Sequence, residues 1–130
     1  QAFLEALLDT ARTSEMHGKL AQVFTLLAQG AADGQAAWQL GQGVAVHQSL
    51  PFALYSFLRH PGFFEDCLFC AILNGGDRDT LGAMACAVSG AYLGAAAIPS
   101  RWWDRLENRT LIQDLARRLA DAAGARGDRD

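Results

Sequence analysis

Apolar residues recur at helical spacing along most of the chain, and polar or glycine-rich breaks divide the pattern into short segments. Phe3, Leu4, Leu7, Leu8 and Ala11 fall three and four positions apart, which puts them on one face of a helix. After the polar Thr13-Ser14-Glu15 break, Leu20, Val23, Phe24, Leu26 and Leu27 resume the pattern and predict a second amphipathic helix. A Gly/Ala/Asp link over residues 30–34 leads into a short helix around residues 36–40. Gly41-Gln42-Gly43 then predicts a turn, because glycine reaches backbone conformations that other residues avoid.

Pro51 is expected to open the next helix, with Ser49 or Leu50 as its cap, since proline's fixed φ suits a first turn and its missing N–H would be unpaired there. His60-Pro61-Gly62 ends that helix, and residues 63–73 form another that stops at Asn74-Gly75-Gly76. Residues 81–100 carry no charge, a length that raises the question of a membrane span. The run is mostly Ala and Gly and follows two carboxylates, so it reads as a central helix of a bundle instead. Small residues at Ala83, Ala87 and Ala91, and at Cys86, Gly90 and Gly94, are expected to line faces where neighbouring helices come close. Ile98-Pro99-Ser100 starts a short helix containing Trp102 and Trp103, one a core anchor and the other partly exposed. Thr110-x-x-Gln113 resembles a capping box before Leu111, Leu115 and Leu119; Gly124 closes that helix, and residues 125–130 form a frayed polar tail. With no alternating strand pattern, the fold class is all-α, a multi-helix bundle.

Composition narrows the picture. At 51% hydrophobic and 19% charged over 130 residues, the chain suits one domain or a piece of one and not a disordered segment. It begins at Gln1 and not Met, which leads us to expect upstream sequence. A net charge of −3 excludes nucleic-acid binding through bulk charge. Cys67, Cys70 and Cys86 are an odd number set in apolar runs, as expected of reduced core thiols in a cytoplasmic protein. Cys67-x-x-Cys70 has zinc-ligand spacing, yet lacks a second pair and lies in an apolar helix, so it reads as packing.

The candidate chemistry lies in Gly75-Gly76-Asp77-Arg78-Asp79-Thr80. Two carboxylates two residues apart and a hydroxyl, directly after two glycines, can be aimed at one point, and oxygen-only donors select Mg²⁺ over Zn²⁺. The plainer alternative is that an Asp here caps a helix, satisfying its unpaired N–H groups. His47, His17 and His60 are read as structural.

The run from Gly75 through Gly90-Ala91-Tyr92-x-Gly94 to Ile98-Pro99-x-x-Trp102 resembles the signature that ends ADP-ribosylglycohydrolases. Upstream, Gly41-Gln42-Gly43-Val44-Ala45-Val46-His47-Gln48-Ser49-Leu50-Pro51 resembles the branch that cleaves poly(ADP-ribose), O-acetyl-ADP-ribose and serine-linked ADP-ribose. The resemblance implies an all-α fold with two Mg²⁺ ions, for which Asp77, Asp79 and Thr80 would be ligands. It implies that Gly43, Val44, Gly76 and Arg78 lie beside bound substrate, which would be an ADP-ribosylated protein, poly(ADP-ribose) or O-acetyl-ADP-ribose. It places a Thr-Asp-Asp ligand set and the acid–base Glu in an amino-terminal half that has no counterpart in residues 1–130. The chain is thus expected to be the carboxy-terminal part of a single domain, without a catalytic residue and inactive alone. Arg78 departs from the family pattern, which has a small hydroxyl residue there. A non-catalytic relative, crystallin-like or ADP-ribose-binding, and a helical interaction domain are the alternatives.

Overall fold

In the computed structural model, which describes residues 2–127, every regular element is helical. In chain order they are α1 (Ala2–Thr10), α2 (Ser14–Ala28), α3 (Asp33–Leu40), α4 (Val46–Arg59), α5 (Phe64–Leu73) and α6 (Arg78–Leu93). A single 3₁₀ turn (Ala95–Ala97), α7 (Ser100–Trp103) and α8 (Arg109–Gly127) follow. The all-α expectation holds. The chain divides into two units, one up to Ala97 and one from Ile98 onward.

The first unit is built around α4, whose residues from Pro51 to Phe57 are all buried. Phe52, Tyr55, Leu26, Val23, Leu40 and Leu81 fill the centre, drawn from α2, α3, α4 and α6. Burial of a large apolar side chain contributes about 1.5–3 kcal/mol, so this cluster is the main source of the unit's stability. The one phenol inside it is satisfied: the Tyr55 hydroxyl donates to the Ala31 carbonyl at 2.7 Å. Thr13 caps α2, accepting from the Met16 N–H at 3.2 Å. Gly30, at φ +62°, then lets the Ala31 N–H return to the Leu26 carbonyl.

Helix α4 corrects the proline reading. It begins at Val46, with Ala45 as N-cap, and Pro51 lies inside it. The missing N–H forfeits one intrahelical bond, but Pro51 is fully buried, and packing decides its position over local preference. Helix α6 corrects the small-residue reading. Ala83, Ala87 and Ala91 are all exposed, whereas the inward face is Leu81, Gly82, Ala85 and Ser89. The close approach occurs at Gly82, where an added Cβ would lie 3.0 Å from Ile72 Cγ2 and 3.2 Å from Leu68 Cδ1 on α5. At Gly90 the nearest atom, in Phe64, would be an ordinary 3.7 Å away. Gly94, at φ +79°, ends α6 well before the uncharged run is over.

In the second unit, α8 starts one residue before the proposed capping box. Asn108 enters it at φ +55°, a left-handed conformation that Asn tolerates, and Thr110 is already inside the helix. The helix continues through Gly124, which therefore does not close it. Neither tryptophan is a core anchor: both are half-buried, with Arg101 5.3 Å from the Trp102 ring centre and Arg109 5.3 Å from that of Trp103. Leu111, Ile112, Leu115 and Leu119 are exposed along α8. The frayed tail expected over residues 125–130 is instead helical as far as Gly127, and residues 128–130 fall outside the described residues. No helix among the described residues is long and apolar enough to cross a membrane.

Candidate metal centre

The glycine pair that ends α5 reverses the chain so that α6 can begin at once. Gly75 and Gly76 both take positive φ, +91° and +72°, which an L side chain rarely adopts. The turn is pressed against the loop between α3 and α4. A Cβ on Gly76 would overlap the carbonyl oxygen and Cβ of Gln42, and one on Gly75 would lie 3.2 Å from Gln42 Oε1. The Asp77 N–H donates to the Gln42 carbonyl at 2.8 Å, fastening turn to loop. At Gly43 a Cβ would meet only the Gln48 side chain, led by its terminal Oε1, which can swing away. The two glycine-containing stretches that the sequence singles out are thus one structural unit, joined through Gln42.

Asp77 sits at the N-cap of α6, yet its φ of −82° and ψ of 79° are not those of a capping residue, and its side chain makes no cap hydrogen bond. The capping alternative therefore does not describe Asp77. Asp79, in the first turn, is exposed, and its Oδ1 accepts the Thr80 N–H at 3.1 Å. Its carboxyl is held below the ordinary 3.8, first by a hydrogen bond with the Asp77 carboxyl and then by the N–H groups of Thr80 and Asp79 at the helix start. The two carboxyls are therefore side by side, with Thr80 following. Oxygen donors of this kind, partly anionic and open to solvent, fit a hard cation.

Gly76 thus borders the carboxylates directly. Gly43 is tied to them through the adjacent Gln42, Val44 is 80% exposed on the same loop, and Arg78 is exposed as the first residue of α6. His47 faces α2, with Nε2 3.5 Å from Glu15 Oε1.

The profile of the family described as ADP-ribosylglycohydrolase matches residues 1–129. The chain belongs to the ADP-ribosylglycohydrolase family. Its curated relatives include "ADP-ribosylhydrolase ARH3" from Mus musculus, 36% identical over 91 residues, covering 62% of this chain and 25% of that protein. The Xenopus tropicalis protein of the same name is 39% identical over 92 residues, covering 62% and 26%. "ADP-ribosylhydrolase ARH1" from Dictyostelium discoideum is 28% identical over 79 residues, covering 61% and 20%. The chain spans about a quarter of the length of the first two relatives. No solved structure matches it.

For an ADP-ribosylglycohydrolase chain, one arrangement goes beyond the sequence pattern. Asp33, His60 and Cys70 each bring a ligand-capable atom within 4.8 Å of the other two. The sequence alone assigns Cys70 to the core and makes His60 structural. Nothing in the spacing of these three residues points to their meeting, because they come from three separate helices and converge only through packing.

Proposed function

We propose that this chain provides the metal-holding side of a Mg²⁺-dependent hydrolase. The bond cleaved is the glycosidic one at ribose C1″ of ADP-ribose joined to a protein side chain, poly(ADP-ribose) or an O-acetyl group. The observation that carries this reading is the turn from Gly75 to Thr80, whose Asp77 side chain leaves the helix uncapped while lying beside Asp79. Family membership and the relatives named as ADP-ribosylhydrolases support the reaction class.

Asp77, Asp79 and Thr80 would hold Mg²⁺, two ions in the complete site. When bound, Mg²⁺ supplies orientation of the ribose hydroxyls and stabilisation of developing charge. The chain's own residues do the positioning. Gly76 allows the turn to close on Gln42, and the Gln42 carbonyl fixes the Asp77 backbone, so the carboxylates are placed before any ligand arrives. Arg78, exposed beside them, offers a planar fork for a substrate phosphate. Gly43 and Val44 would lie along the bound ADP-ribose. The acid–base Glu and the remaining ligands would come from the amino-terminal half of the complete protein, so residues 1–130 would be inactive alone. The free cysteines support a cytoplasmic location.

The experiment compares Asp77→Asn, Asp79→Asn and the unchanged full-length protein in two assays. One is calorimetric Mg²⁺ titration; the other is release of ADP-ribose from O-acetyl and serine-linked substrates, in Mg²⁺ and in chelator. Loss of metal binding and of release in both variants, with helical signal retained, is the expected result. Unchanged Mg²⁺ affinity in both would overturn the metal assignment, and Mg²⁺ binding without release by the unchanged protein would identify a non-catalytic relative.

A further inference from the structure

Away from the Asp77 turn, a second set of donors has quite different chemistry. Asp33 opens α3, His60 is the C-cap of α4, and Cys70 lies in the last half of α5. Their ligand-capable atoms, a carboxylate oxygen, an imidazole nitrogen and a thiol sulfur, lie within 4.8 Å of one another. The three border a cavity of about 320 Å³ that Asp66, Leu73 and Asn74 also line. Asp33 and His60 are half-buried, while Cys70 is 5% exposed.

We propose that Asp33, His60 and Cys70 form a binding site for a borderline-soft divalent cation of the zinc class. The ligand set decides the class. Sulfur and imidazole nitrogen select Zn²⁺ and its neighbours over Mg²⁺ and Ca²⁺, which take oxygen. Three protein ligands are one short of tetrahedral closure, and the adjoining cavity leaves the fourth position to water. The charges also balance: binding breaks the Cys70 S–H bond, forms a sulfur–metal bond and releases one proton to solvent, so that thiolate and Asp33 carboxylate together match a divalent ion. Without metal, burial first of all pushes the Cys70 thiol up to about 12, and the negative charge of the nearby Asp33 adds to the rise. A cation would therefore take the place of the proton that the buried Cys70 thiol keeps. Because the ligands come from three helices, a bound ion would cross-link α3, α4 and α5 at the end of α5 that leads into Asn74 and Gly75.

The test uses Co²⁺ as the probe, added to the full chain under reducing conditions with Mg²⁺ in excess so that the Asp77 turn does not compete. The expected result is a thiolate-to-cobalt charge-transfer band in the near ultraviolet with tetrahedral d–d bands in the visible, both bleached by Zn²⁺. The band should be absent in Cys70→Ala and His60→Ala and retained in Cys86→Ser and Asp77→Asn. Asp33→Asn keeps the size of the side chain and should weaken Co²⁺ by at least about tenfold, the loss that even an outer-shell partner causes, at unchanged circular dichroism. This variant carries the test if Cys70→Ala fails to fold. No charge-transfer band in the unchanged protein, a band that survives Cys70→Ala, or unaltered affinity in a folded Asp33→Asn would show a hydrogen-bonded trio and no metal site. Because Asp77→Asn is expected to keep the cobalt signal, failure of the Mg²⁺ assignment and failure of this one are separately visible.

Discussion

Gly76→Ala tests the junction on which the Asp77 turn depends, and the rest of the chain supplies its control. At φ +72° the new side chain meets the steric cost of a left-handed residue, about 1–2 kcal/mol. It also collides with the carbonyl oxygen and Cβ of Gln42, one of them backbone and neither able to rotate away. Relieving the overlap means moving the loop, which strains packing by about 1–3 kcal/mol and endangers the Asp77 N–H bond to Gln42, itself about 0.5–1.5 kcal/mol. Gly30 has nearly the same φ, +62°, with nothing within 4 Å of an added Cβ, so Gly30→Ala reports the backbone cost alone. The difference between the two variants should be about 1.5–4.5 kcal/mol, the sum of the packing and hydrogen-bond effects. Gly75→Ala should resemble Gly30→Ala, because the atom it approaches at 3.2 Å is the free end of the Gln42 side chain. Urea unfolding followed by circular dichroism, with a common slope, measures all three. Equal losses for Gly76→Ala and Gly30→Ala would refute the junction, and with it the idea that the carboxylates are positioned by Gln42.

Gly82→Leu should cost at least about 1–3 kcal/mol, since Ile72 and Leu68 already close on that position, whereas Ala87→Leu on the exposed side should stay within about 0.5 kcal/mol in thermal unfolding. The Asp79 carboxyl should titrate below the ordinary 3.8 in an NMR-monitored pH series, and should rise towards that value in Asp77→Ala, which removes its largest cause. Burial raises the Cys67 thiol from 9.0 to about 11, so the folded protein holds a proton that the unfolded chain gives up earlier. That contribution is whole below pH 9 and is lost as the pH rises from 9 towards 11; in chelator, thermal midpoints should fall across this window, and less steeply in Cys67→Ala.

Periodic features are legible in the sequence, and three-dimensional coincidences are not. The spacing of Leu20, Val23 and Leu26 places α2 correctly because a buried stripe at helical period has no other solution. Pro51 misleads because its local preference for a first turn is weaker than the demand for a buried apolar residue in the middle of α4. The stripe Ala83, Ala87, Ala91 misleads in the opposite way. Small residues four apart mark a possible contact face without saying whether a neighbour occupies it, and here the neighbour lies on the side of Gly82. Gly75 and Gly76 are recognisable as a turn, but the partner that makes Gly76 irreplaceable, Gln42, is distant in sequence and carries no mark of its role. Asp33, His60 and Cys70 are invisible for the same reason.

The junction at Gln42 explains why a glycine-rich loop and an acidic turn occur in the same chain. Two carboxylates side by side repel, and a flexible turn would let them separate, so that a cation would have to bring them back against chain entropy. Here their separation is opposed from both directions. The Asp77 backbone is held from outside by the Gln42 carbonyl, and Asp79 is held from inside by the first turn of α6, whose N–H groups favour negative charge. The ordering is thus done during folding, by the packing of α3 and α4 against α5 and α6. The same packing closes the gap between Asp33, His60 and Cys70, whose donors come from α3, the end of α4 and α5. On the two proposed assignments, a substitution that loosens α4 against α5 should therefore weaken both cations together, even though the two donor sets share no residue.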